Sequence, residues 1–462
     1  VTPPGRRASR SVHDRPATAT HRVTAGIVSL ILLIAFEAMA VATAMPVAAR
    51  QLDGLGLYAW SFTAFLIAAL FATAVTGGVC DRVGPTAPLL VGVAVFLAGL
   101  LVAGLAPAMW PFVAGRAIQG LGGGAVIVAL YVVVARAYDE EARPRVFSFM
   151  SAAWVVPSIV GPLIAGFVTE QWSWRLVFLG LAPFVVVPVA LALPALRGIP
   201  QSEGDRRPAR VLPALAVALG AGFLQYGGQR AERGGWAVAV LAGVIGVALL
   251  VPGLRRLLPA GTLRVRRGLP AVVALRGAVA GAFFGAEAYL PLMMVEHRGL
   301  SPTLGGLTLT GAALGWAGGS WWQGRPSMQV PRQRLVVVGA ALATAGIVVA
   351  GMASVVVAGF AVPAWVAALG WLLGGVGMGL TMSCLSVLLL ELSPLADQGR
   401  NSAALQMSDA LGSIVLIGAG GVIFALLHES QPGMVTFGAI FAVMTAAGLL
   451  AVWVATRVRV AR

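Results

Sequence analysis

Four ionisable side chains, Glu37, Arg116, Glu287 and Asp409, lie inside long apolar runs. Arg116 sits in the run from Trp110 to Ala135, which holds no other charge. A guanidinium stays protonated at any physiological pH. Placing one in a bilayer costs at least ~2.5–3.5 kcal/mol on insertion scales. That cost is tolerable only where the group faces a partner or a watery path. Glu37 lies thirteen residues beyond Thr24, so ~20 Å from one membrane face at 1.5 Å per residue. Arg116 lies six residues beyond Trp110, so ~9 Å from the other face. In a hydrocarbon core ~30 Å thick the two share a depth and can pair. Such a pair is either a proton-coupling site or a static ion pair that locks two helices. Glu287 falls toward the outer side and Asp409 about 9 Å from the inner end of its run. Either can take a proton or a cationic substrate, or lie at an interface near water. Arg276 is expected to snorkel from the inner end of its run. Glu391 reads as a solvated loop acid.

The elements that must position these groups are membrane helices. The chain is 59% hydrophobic and 11% charged, with mean hydropathy +0.90. A soluble domain carries about 25% charged residues. The net charge of +15 is therefore read as basic loops at one membrane face, not as a nucleic-acid surface. All 32 basic residues are arginine. Without lysine there is no Walker A loop, so ATP hydrolysis through such a loop is excluded. The four histidines, His13, His21, His297 and His428, show no metal-ligand spacing, and Cys80 and Cys384 are not expected to pair. Runs of roughly 20 apolar residues mark fourteen spans. They fall at 24–48, 57–79, 86–106, 110–135, 146–169, 174–196, 211–228, 236–254, 270–295, 302–322, 334–356, 362–390, 403–427 and 433–456. Residues 1–22 read as a disordered cytoplasmic tail and 457–462 as a second tail.

Arginine placement orients the spans. With the N-terminus inside, cytoplasmic segments hold 25 arginines and external loops hold five. Both termini are thus expected in the cytoplasm. Trp60, Trp110, Trp172, Trp174, Trp236 and Trp365 fall near external span ends, as interfacial tryptophans do. A shift of 255 places Gly115, Gly120, Gly122 and Gly124 on Gly370, Gly375, Gly377 and Gly379. The same shift sets Arg145 on Arg400, Ser158-Ile159-Val160 on Ser413-Ile414-Val415, and Gly166 on Gly421. An eight-span offset means two six-helix halves, 23–196 and 269–456, joined by residues 197–268 with two extra helices. Parallel repeats of this kind mark transporters. Trp371 takes the place of Arg116, so the halves are not chemically equivalent.

Motifs lie at matching places. Gly77-Gly-Val-Cys-Asp81-Arg82-Val-Gly84 joins the second and third spans. Its glycines permit a tight turn, Asp81 can face a helix N-terminus, and Arg82 can pair with an acid of Asp139-Glu140-Glu141. This loop resembles the conserved loop of the major facilitator superfamily. Phe112 to Gly124, with Arg116, Gln119, Gly120 and Gly122, is similar to that superfamily's fourth-helix motif. Pro157, Gly161, Pro162, Ala165 and Gly166 resemble the fifth-helix motif of its antiporters, and Trp172 to Phe178 the stretch after it. Phe36-Glu37 through Ala44-Met45-Pro46, and Gln406 to Gly412, resemble the fourteen-helix drug:proton antiporter family.

The resemblance implies a rocker-switch fold, all-α and polytopic, around a central cavity. It implies proton-coupled efflux of small lipophilic or cationic compounds, with Glu37, Arg116, Asp409 and Glu287 coupling protons. Gly77, Asp81, Arg82 and Gly84 would gate, with Asp81 latching onto the start of span thirteen near Asn401. No enzymatic activity, cofactor or metal is expected beyond the proton gradient. The expected partners are a small-molecule substrate and the bilayer of the cell membrane, with the chain a monomer. Export of one metabolite without broad drug range, and a non-transporting scaffold, are the alternatives.

Overall fold

The computed structural model describes residues 17–138, 142–196, 211–232, 234–325, 327–357, 360–394 and 397–458. Backbone polar groups in lipid must be satisfied within the segment, so apolar runs of this length become helices. The first half comprises α1 (Ala17–Gln51), α2 (Tyr58–Val83), α3 (Thr86–Gly104), α4 (Met109–Ala137), α5 (Arg143–Gln171), α6 (Arg175–Leu179) and α7 (Ala182–Leu196). Two further helices follow, α8 (Val211–Glu232) and α9 (Trp236–Leu257). The second half comprises α10 (Leu269–Leu292), α11 (Pro302–Gln323), α12 (Arg332–Met352), α13 (Trp365–Glu391), α14 (Gln398–Leu427) and α15 (Gly433–Ala455).

Among the described residues, twelve helical segments are long and apolar enough to cross a membrane by length and composition. The two remaining predicted spans differ for local reasons. The 22 residues of α11 reach ~33 Å, but Gly, Thr, Ser and Gln dilute their apolarity. The run 174–196 is broken into α6 and α7 at Gly180-Leu181. Pro183 explains the break, because its ring excludes the carbonyl four residues back and it has no N–H to donate. The two helices make one crossing, which gives fourteen. Other expectations shift at the ends. Residues 17–22 belong to α1 rather than to a tail, and the rest of that tail, 197–210 and the acids 139–141 lie outside the described residues. A two-residue ladder, β1 (Val356–Val357) with β2 (Phe360–Ala361), decorates the loop before α13. It lies beyond the helix ends and leaves the all-α architecture intact.

The two halves are built alike. In the first, α4 packs on α2 and α3, and α1 on α5 and α7. In the second, α13 packs on α11 and α12, and α10 on α14 and α15. The glycines of the 255-residue repeat produce these contacts. Gly120 faces the backbone of Phe65 on α2, and its counterpart Gly375 faces the backbone of Ala312 on α11. Each leaves no room for a Cβ, so the helices approach to backbone contact as small residues in membrane helices allow. The pair α8–α9 packs against α2 and α14, with Leu70, Val217, Ala221, Leu257, Leu411 and Ile414 forming a separate small core.

The halves meet near the arginine-poor face. Arg50 at the end of α1 pairs with Glu296 just past α10 at 2.5 Å. Thr303 on α11 donates to Glu170 on α5, and Tyr58 Oη donates to the Ala288 carbonyl at 2.8 Å. Gly166 is so close to Thr303 that a Cβ would stand 2.5 Å from the threonine Cα. This face of the protein is therefore closed.

Gly375→Leu should destabilise the protein by ~1–3 kcal/mol or more through overpacking, or prevent its folding. Gly438→Leu on α15, where a Cβ meets nothing within 4 Å, should melt like wild type. Thermal unfolding in detergent measures both.

Candidate functional site

Glu37 and Arg116 form a buried ion pair, Oε1 to Nη1, between α1 and α4. The residues are 1% and 3% exposed. The pair is embedded in a larger set of contacts. Arg116 Nε donates to the Ser61 carbonyl at 3.0 Å, which ties α4 to α2. Arg116 Nη1 also donates to Gln119 Oε1 at 2.9 Å, and Gln119 Nε2 donates to Glu37 Oε1 at 3.3 Å. Gln119 thus presents its acceptor to the cation and its donor to the anion. The Phe65 ring lies 4.6 Å from the guanidinium carbon, a cation–π distance. A planar fork can serve several directions at once, and a lysine ammonium cannot match that geometry. Glu37 Oε2 is buried and has no hydrogen-bond partner among the described residues.

The sequence motifs build this arrangement. Gly120 and Gly122 let α4 approach α2 and α3 closely, Gly120 against Phe65 and Gly122 against Phe96. That brings Arg116 and Gln119, one turn earlier, against Ser61 and Glu37. The fifth-helix motif lines the other side of α1. Gly161 is set so that a Cβ would meet Met39 Cβ at 3.2 Å. Pro157, Pro162 and Ala165 are buried on the same helix, and Gly166 makes the contact with α11. The motif therefore touches both α1 and the second half.

The other predicted residues sit apart from this pair. Asp409 on α14 is paired with Arg276 on α10, Nε to Oδ2 at 2.7 Å and Nη2 to Oδ2 at 2.6 Å. Arg276 therefore does not reach back to the interface as expected. A carboxylate on the neighbouring helix satisfies it at lower cost. Glu287 accepts from Trp371 Nε1 at 3.3 Å. Asp81 lies 3.4 Å from Arg136 of α4, half exposed, and not against Asn401. Asn401 is buried and donates to Ser393 Oγ at 2.9 Å. Arg82 and Gly77 are on the arginine-rich side, and the acids expected for Arg82 lie outside the described residues. Gly84 has φ +82°, a left-handed position that ends α2 and that a side chain would strain. Glu391 meets Arg332 at 3.0 Å, both about half exposed, as expected of a loop acid.

Trp174 departs from its expected interfacial place. It is 1% exposed, donates to Gln51 Oε1 at 2.9 Å, and packs edge-on against Phe112 and Phe178. Trp110, Trp172, Trp236 and Trp365 are at least half exposed, as lipid-interface residues should be. Sequence reasoning missed the cross-half contacts of Arg50, Tyr58 and Glu170. Their only signal was position near an external span end.

A family model, the Major Facilitator Superfamily, matches residues 27–363. The chain is 25% identical to MFS transporter L2 of Phoma sp. over 86% of this chain and 68% of that one. It is 27% identical to an uncharacterised MFS-type transporter of Mycobacterium tuberculosis over 89% of this chain and 58% of that one. It is 30% identical to multidrug resistance protein 3 of Bacillus subtilis, over 38% of this chain and 33% of that one. The matches thus cover from a third to about two thirds of these relatives' lengths. An auto-inhibited peptide transporter of the POT family has the same fold, with a TM-score of 0.69 at 15% identity over 94% of this chain and 98% of that one. Those matches, with two packed halves and a helix-buried charge pair, establish that the chain belongs to the Major Facilitator Superfamily.

Proposed function

We propose that the protein is a proton-coupled exporter of small lipophilic or cationic compounds that works by alternating access. The observation that carries this reading is Glu37, with one oxygen on Arg116 and the other buried without a partner among the described residues. A proton can join Oε2 without displacing the contact through Oε1. Once it does, the carboxyl no longer balances Arg116, and the attraction between α1 and α4 weakens. The same helix carries the gate. Six residues past Glu37, Thr43 packs on Gly306 of α11, and Arg50 at the helix end pairs with Glu296. A change of charge at Glu37 is thereby delivered to contacts between the halves. Relatives named for multidrug resistance support export of drug-like compounds.

The arginine bias supports an arginine-rich face in the cytoplasm. On that orientation the closed face is external. Asp81 then stands on the cytoplasmic side, where it meets Arg136 of its own half. A second reading is export of one metabolite. It is favoured by the Phoma and Mycobacterium relatives, which span most of this chain under names that specify no substrate. A toxic-compound screen in an efflux-deficient host separates the two readings by the breadth of protection.

Glu37→Gln should lower ΔpH-driven transport in proteoliposomes by ~10-fold or more, within the 5–150-fold that coupling energies supply. The comparison is made at equal amounts of folded, reconstituted protein, because removing one partner of a buried pair also costs stability. Wild-type gradient-driven transport by that variant would rule out Glu37 as the coupling acid. Arg116→Lys should fold but transport poorly, because an ammonium cannot hold Ser61, Gln119 and Glu37 together. Normal transport by Arg116→Ala would leave the arginine a purely structural role.

A further inference from the structure

Three carboxylates lie well inside the described helices: Glu37, Glu287 and Asp409. Arg116 balances the first and Arg276 the third. Glu287 forms no ion pair among the described residues. Its one hydrogen bond there comes from the indole of Trp371. Trp371 is Arg116's counterpart in the repeat, so a neutral donor stands where the first half has a cation. An unbalanced carboxylate at membrane depth is costly and marks a functional group.

Its surroundings are aromatic. Phe283 stacks on Trp371 with centroids 4.7 Å apart and planes 17° apart. Trp316 of α11 lies against both Phe283 and Phe284, at 6.3 and 6.2 Å. Phe283 and Phe284 precede Glu287 by one helical turn, so they share its side of α10. Trp371 and Phe283 are fully buried, whereas Glu287, Phe284 and Trp316 are partly exposed. The open side of the cluster thus offers one carboxylate and two ring systems. Pro291, one turn on, has no N–H to give the Glu287 carbonyl.

A negative group beside π faces is the chemistry that holds organic cations. We propose that Glu287, with Trp371, Phe284 and Trp316, forms a subsite for a lipophilic organic cation in the second half. The proposal rests on the exporter reading and names a substrate class for it. Glu287 supplies the charge, Trp371 orients the carboxylate, and Phe284 and Trp316 supply the wall.

The test uses the purified full-length protein and two probes of nearly the same shape. Methyltriphenylphosphonium is a cation, and triphenylphosphine oxide is its neutral analogue. Wild type should bind the cation ~10-fold or more tighter than the oxide, the range of a desolvated cation–π contact joined to a charge. Glu287→Gln should erase that preference. Trp316→Leu, which keeps the carboxylate, should weaken the cation more than the oxide and serves if the first variant does not fold. Equal affinity of wild type for the two probes, or a preference that survives Glu287→Gln, would overturn the subsite. Binding is measured without a gradient. Loss of proton-driven export in wild-type proteoliposomes, with the cation preference intact, would instead sink the exporter reading alone.

Discussion

An arginine in an apolar helix must be matched, and the first half is organised around that requirement. Arg116 is neutralised by Glu37, anchored to α2 through Ser61, oriented by Gln119 and covered by Phe65. Three helices, α1, α2 and α4, converge on one guanidinium. Their approach depends on glycines that leave no room for a Cβ. Breaking such a pair by removing one partner leaves a buried charge and costs ~3–5 kcal/mol. The interaction that holds the half together is therefore also the one least tolerant of losing a partner.

The second half keeps the packing and changes the chemistry. Gly370 and Gly375 repeat the approaches of Gly115 and Gly120, against Ala350 and Ala312. Trp371 stands in Arg116's place and is fully buried. The counter-charge in this half moves to Arg276 and Asp409, which join α10 to α14 nearer the arginine-rich side. A duplicated scaffold has thus been given two different electrostatic centres. One is a closed ion pair at the level of Glu37. The other leaves Glu287 with only an indole among the described residues.

Much of this was legible in the sequence because the signals were local or periodic. Apolar run lengths located the crossings, and arginine counts distinguished the two faces. The glycine repeat was readable because close helix approach demands the absence of a side chain. Glu37 and Arg116 could be paired from depth alone, since 1.5 Å per residue converts position into height. Pairings between distant helices carried no such signal. Arg276 and Asp409 are 133 residues apart, and each alone resembled a group near water. Trp174 resembled an interfacial tryptophan, but Gln51 satisfies its N–H and two rings cover its faces. The break at Gly180 had a readable cause in Pro183, but the surrounding apolarity concealed it.

The most direct test of the central pair is a double-mutant cycle on unfolding in detergent, using Glu37→Gln, Arg116→Gln and the double variant. Each single change should cost several kcal/mol, on the order of 3–5. The double variant should lie closer to wild type than the sum of the singles, with a coupling of ~1–3 kcal/mol. Additive losses would contradict the account, since they would mean that the two charges do not depend on each other.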